Sequence, residues 1–101
     1  MKVIFHAHHA PISDRMRRRA RLGVAKLAER LGRPVDAVIR FEDDGPARRV
    51  EIMLHAPRRK PLVATASGRY AGVALGEALD RLETQVETQR RKRLARRKAH
   101  A

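Results

Sequence analysis

At 101 residues the chain has room for one compact domain, and 43% hydrophobic content supports a core and argues against wholesale disorder. Lys and Arg number 24 against 11 Asp and Glu, a net charge of +13 that calls for a polyanionic partner, nucleic acid or an anionic membrane surface. With no cysteine, disulfides, thiolate metal sites and a cysteine nucleophile are excluded. No apolar run is long enough for a secretory signal or a bilayer span, so a soluble cytoplasmic protein is expected.

Residues 2–8 read as a strand with Val3 and Phe5 on one face and Ile4 and His6 on the other. Apolar character on both faces predicts a place inside the sheet rather than at its edge. Pro11 ends the run, and Ser13 is placed to cap a helix with Asp14 in its first turn. From Asp14 to Leu31, Met16, Ala20, Val24, Leu27 and Leu31 form one apolar stripe, stopped by Gly32 and Pro34. Around that stripe stand Arg15, Arg17, Arg18, Arg19, Arg21, Lys26 and Arg30, against Asp14 and Glu29 alone.

Residues 35–42 alternate, with Ala37, Ile39 and Phe41 on one face, and Asp43-Asp44-Gly45-Pro46 reads as a turn. Residues 48–55 alternate again, with Val50, Ile52 and Leu54 inward. Pro57-Arg58-Arg59-Lys60-Pro61 forms a basic loop before a fourth strand over 62–67. Ser67-Gly68 is expected to open a second helix whose stripe is Ala71, Leu75, Leu79, Leu82 and Val86. Asp80, Glu83 and Glu87 line one flank of that helix.

The stripe ends at Val86, so a continuing helix must leave the body near residue 89. Residues 90–98 then hold seven cations and no acid. The predicted organisation is a single globular domain over 1–89 with a basic C-terminal extension over 90–101. The order β-α-β-β-β-α implies an α+β fold, a four-stranded sheet with both helices on one face.

Phe5, Phe41 and Tyr70 are the only aromatics, too few for a protein that stacks successive bases. Contact with RNA or DNA must rest on Arg and Lys meeting phosphates. A membrane-surface role needs an apolar helical face, which Leu94 and two alanines do not supply. His6 and His8 share a strand face, but two imidazoles without a nearby carboxylate do not make a tetrahedral metal site. No catalytic motif is present, and Ser13 and Ser67 read as helix caps. The chain is therefore read as a non-enzyme with no metal, no cofactor and no small-molecule substrate.

The element order is joined by a specific pattern: Ala64-Thr65-Ala66-Ser67-Gly68, then Leu79-Asp80-Arg81-Leu82, Gln85-Val86 and a basic run from Arg90. Ala25-Lys26-Leu27 lies in matching register on the first helix. Together these resemble the bacterial ribosome hibernation-promoting factor and ribosome-associated translation inhibitor family, over residues 1 to about 92. An aromatic usual early in the second helix is absent: Val73 stands there, with Tyr70 three residues before, and Thr88 replaces a usual cation.

The resemblance implies a double-stranded-RNA-binding-domain-like fold. It also implies a place on the small ribosomal subunit and its rRNA, in the decoding channel where mRNA and tRNA lie, with translation blocked in stationary phase or stress. Lys26, Arg81, Arg90 and Lys92 match basic family positions. Arg17, Arg18, Arg21, Arg30, Arg91 and Arg93 are added as rRNA-phosphate contacts on physical grounds. The additional domain of the long forms is missing, so a short form is expected, one needing a second hibernation factor to pair ribosomes. The alternative is a general RNA- or DNA-binding or ribosome-assembly protein without a defined inhibitory site.

Overall fold

A computed structural model describes residues 1–99; residues 100 and 101 of the predicted extension lie outside the described residues. The elements are β1 (Val3–His8), α1 (Asp14–Leu31), β2 (Asp36–Asp44), β3 (Ala47–His55), β4 (Leu62–Gly68) and α2 (Ala71–Ala99). The four strands form one sheet in the order β1-β2-β3-β4. β1 runs parallel to β2, as a helical crossover through α1 requires, and the remaining pairs are antiparallel.

One face of the sheet carries Ala37, Ile39, Phe41, Val50, Ile52, Leu54, Ala64 and Ala66, all buried. Against them pack Ala20, Val24, Leu27 and Leu31 of α1, and Ala74, Leu75, Ala78, Leu82 and Val86 of α2. Among the described residues no polar or charged side chain is buried with this core. Burying each large aliphatic or aromatic member contributes about 1.5–3 kcal/mol. The fold is the α+β arrangement expected from the element order.

The start and stop of α1 follow from local chemistry. Ser13 Oγ accepts from the Met16 N–H at 3.1 Å, and Gly32 takes the left-handed conformation (φ 68°) while its N–H donates to Glu29. At the β2–β3 hairpin, Gly45 has φ 62° and is followed by Pro46, the sign pattern of a type II′ turn.

Three expectations need correction. β1 is an edge strand, not an interior one: Val3 and Phe5 pack on the core, and Ile4 is left partly exposed beside Val38 on the open face. Asp43 and Asp44 are not in the turn. They extend β2 and pair with Arg48 and Ala47, Asp43 also forming an ion pair with Arg48. Ser67-Gly68 does not cap α2, because both residues belong to β4 and face Arg49 and Arg48 in register. The helix starts after Tyr70, whose carbonyl accepts from Ala74 N–H at 3.1 Å.

α1 and α2 lie side by side and run parallel. Arg19 reaches Gly72, Gly23 faces Leu79, Arg30 meets Glu83 and Glu87, and Arg93 meets Leu31. Small residues permit the approach: a Cβ on Gly23 would fall 2.8 Å from a Leu79 methyl. Both C-termini therefore point to the same end of the molecule, and α2 continues past α1 as one unbroken helix of 29 residues, about 43 Å long.

Candidate nucleic-acid interface

The predicted cations fall on the outer surface of the helical layer and on its extension. Arg17, Arg18 and Lys26 on α1, and Arg90, Arg91 and Lys92 on α2, are exposed. Their side chains make no hydrogen bond or ion pair among the described residues. A guanidinium or ammonium left in this state has its donors available for an incoming anion.

The remaining predicted residues are already engaged. The Arg21 guanidinium lies 5.5 Å from the centroid of the Phe5 ring, which holds it over β1 without using its hydrogen-bond donors. Arg30 bridges to Glu83 at 3.2 Å and Glu87 at 3.6 Å, so its charge is offset by the acidic flank of α2. Arg81 donates to the main-chain carbonyl of Thr65, and Gln85 donates to that of Val63 at 2.6 Å. These are outward carbonyls of edge strand β4, and covering them blunts the edge. Arg93, half-buried, donates to the Leu31 carbonyl at 2.7 Å.

Two further arginines, Arg19 and Arg33, were not on the predicted roll. Arg19 donates to the Gly72 carbonyl at 2.9 Å and lies across Gly76, where a side chain would crowd it. Arg33 stands just beyond the end of α1, and its guanidinium pKa is lowered by burial first and then by the charges of Arg59 and Arg93. No local sequence signal marks either one: the fold alone brings Arg19 against Gly72 and Gly76 of α2.

The histidines fall on or beside β1. His6 and His8 share the open sheet face, and the rings of His8 and His9 meet edge to face at 4.3 Å. None of the described helices is long and apolar enough to cross a membrane.

Several solved structures share this architecture. The N-terminal domain of Protein Y from Thermus thermophilus matches with a TM-score of 0.76 and 24% identity, covering 87% of this chain and 98% of that one. A ribosomal subunit interface protein from Coxiella burnetii matches with a TM-score of 0.73 and 16% identity, covering 87% and 96%. No curated protein matches by sequence. Those identities carry the fold; descent is carried by the family model described as sigma 54 modulation protein / S30EA ribosomal protein, which fits residues 3–94. From β1 to the basic extension of α2, then, this chain belongs to that family, the one its helix motifs resemble.

Proposed function

We propose that this protein binds the small ribosomal subunit and inhibits translation as a hibernation factor, in the cytoplasm, without catalysis. The cations of α1 and of the α2 extension neutralise rRNA phosphates in the decoding channel, and the folded body excludes mRNA and tRNA. One observation supports this above the others: six exposed cations on the helical layer and its extension have no intramolecular partner among the described residues, while the chain offers almost no exposed ring for reading bases. Family membership and the description of the Coxiella relative as a ribosomal subunit interface protein agree with such a partner.

The fold suits steric occupancy. A rigid sheet backs the two parallel helices, and the extension projects the densest positive charge beyond the body, giving a shape 52 Å long and about 22 Å across. Binding built on phosphate neutralisation weakens steeply with salt, by orders of magnitude between roughly 50 and 200 mM for six to ten contacts.

Sedimentation with isolated small subunits over that salt range tests the proposal. The chain should co-pellet at the low end, be released at the high end, and resist displacement by excess duplex RNA. Failure to co-pellet at low salt contradicts ribosome binding, and equal competition by free duplex RNA favours a general nucleic-acid binder.

A further inference from the structure

The two outer edges of the sheet are finished differently. On β4, side chains of α2 meet the carbonyls of Val63 and Thr65. On β1, the Ala37 N–H donates to the Lys2 carbonyl at 2.9 Å, and the strand runs parallel to β2 with Val3 opposite Ala37. Ile4, His6 and His8 therefore turn their main-chain groups to β2, and Val3, Phe5 and Ala7 turn theirs outward. Among the described residues those outward groups have no hydrogen-bond partner, and none of the three residues is buried. Residues 3–8 also hold no proline, lysine, arginine or carboxylate, the usual guards of an exposed edge.

An open groove of about 820 Å³ adjoins the start of this strand, with Met1, Leu22, Ala25, Ala28 and Val35 as its apolar lining. Leu22 is 58% exposed and Met1 57%, so two large apolar side chains stand in water beside an unpaired edge. An extended segment laid along β1 would continue the ladder and send every second side chain to the helical side of the sheet, where the groove lies. The local charge selects its sign. The Arg21 guanidinium lies 5.5 Å from the centroid of the Phe5 ring, and Lys2, Lys26 and Arg33 border the groove. Against them stand Glu29 and Asp36, and the Asp36 carboxylate already accepts from the Lys2 N–H at 3.0 Å.

We propose that the outer edge of β1 and this groove bind an extended segment of a partner protein, apolar at alternate positions and carrying carboxylates between them. RNA does not offer donors and acceptors alternating at strand spacing, and it would leave Leu22 and Met1 uncovered. A second copy pairing β1 with β1 would bring two chains of charge +13 together across an edge that already carries Arg21. An acidic segment gains from the same field. The site does not depend on the ribosome-binding reading, since Arg90, Arg91 and Lys92 lie on another element.

The test follows main-chain amide exchange in the full ¹⁵N-labelled chain. In the chain alone, Val3, Phe5 and Ala7 should exchange faster than Ile4, His6 and His8. The probe is a short capped peptide alternating valine with glutamate. At about ten times its Kd it should slow exchange at Val3, Phe5 and Ala7 about tenfold, because only the free fraction exchanges. The same peptide N-methylated along its backbone should give no protection, and a version with lysine for glutamate should bind at least about tenfold more weakly. No slowing at millimolar peptide, or equal protection by the N-methylated version, would overturn the proposal.

Two variants separate edge from groove. Ala7→Pro removes an outward donor that has no partner, and Leu22→Glu places a repelling charge on an exposed position, so both should keep the wild-type thermal transition. Each should weaken the valine–glutamate peptide about tenfold. Unchanged affinity in Leu22→Glu would overturn the groove's part in the site. Two further outcomes would assign the edge elsewhere and overturn the acidic segment as its occupant. One is a dimer of the chain alone at sedimentation equilibrium with the Val3, Phe5 and Ala7 amides already protected. The other is protection of those amides by a short RNA duplex and not by the peptide.

Discussion

Arg93, on the extension of α2, donates to the main-chain carbonyl of Leu31, the last residue of α1, at 2.7 Å. The contact ties the segment that carries more than half of the net positive charge to the end of the neighbouring helix. It also explains the crowding at Gly32, where an added Cβ would lie 2.5 Å from Arg93 Nη1.

Gly32→Ala should therefore cost more than the strain of its left-handed backbone alone, which is about 1–2 kcal/mol. Arg93→Ala should cost a further ~1.5–3 kcal/mol if its charge-assisted bond is fully lost. Urea denaturation of both single variants and the double variant checks this. The double variant should lose less than the sum, because the two changes act on one contact.

Arg81 and Gln85 cover the outward carbonyls of β4, so their first effect is on the fold. Gln85→Ala should destabilise the protein by about 1 kcal/mol, with faster amide exchange along residues 62–68. Arg81→Ala should do at least as much. Any loss of RNA binding by the Arg81 variant must accordingly be judged at matched folded fraction.

Arg17, Arg18 and Lys26 carry no such duty. Converting all three to Gln should leave stability within about 0.5 kcal/mol per position. The same variant should flatten the salt dependence of small-subunit binding by roughly 2–3 units of log–log slope. Parallel thermal melts and filter-binding titrations separate the two effects.

Glu83 and Glu87 neutralise Arg30 in exposed ion pairs, with the side chains between 36% and 51% exposed. Pairs of this kind contribute only about 0–1 kcal/mol. Glu83→Gln with Glu87→Gln should thus barely shift the melting temperature while tightening RNA binding, because it frees Arg30 and removes two repelling charges. Weaker binding in that variant would show that the acidic flank faces a partner of its own.

Much of the fold could be read from local chemistry because its signals are local. Ser13 and Gly32 bracket α1 at the residues where it starts and stops, and the alternation of Ala37, Ile39 and Phe41 marks the buried face of β2. Sheet order is not a local property. Ile4 looks like an interior residue, yet it joins Val38, Met53 and Val63 in an apolar row across the open face, with β1 at the edge. Ser67-Gly68 has the composition of a helix start, but cross-strand pairing with Arg49 and Arg48 claims both residues.

The interface was legible as a composition and only partly as a set of residues. Counting cations found the basic surfaces on α1 and at the end of α2. It could not separate Arg17 and Arg18, which face solvent, from Arg30, Arg81 and Arg93, which fold partners engage from 53, 16 and 62 residues away along the chain. Arg33 escaped notice because only the closed fold half-buries it and exposes it to the charges of Arg59 and Arg93.

Charge-based occupancy of the small subunit is tested most directly by reversing charge on both surfaces at once. A variant with Arg17, Arg18, Arg90 and Arg91 each changed to Glu should keep its circular dichroism spectrum, since none of these side chains has a polar partner among the described residues. Added to a cell-free translation extract at a concentration where the wild-type chain suppresses synthesis, it should leave synthesis running. Suppression equal to that of the wild-type chain would contradict the mechanism.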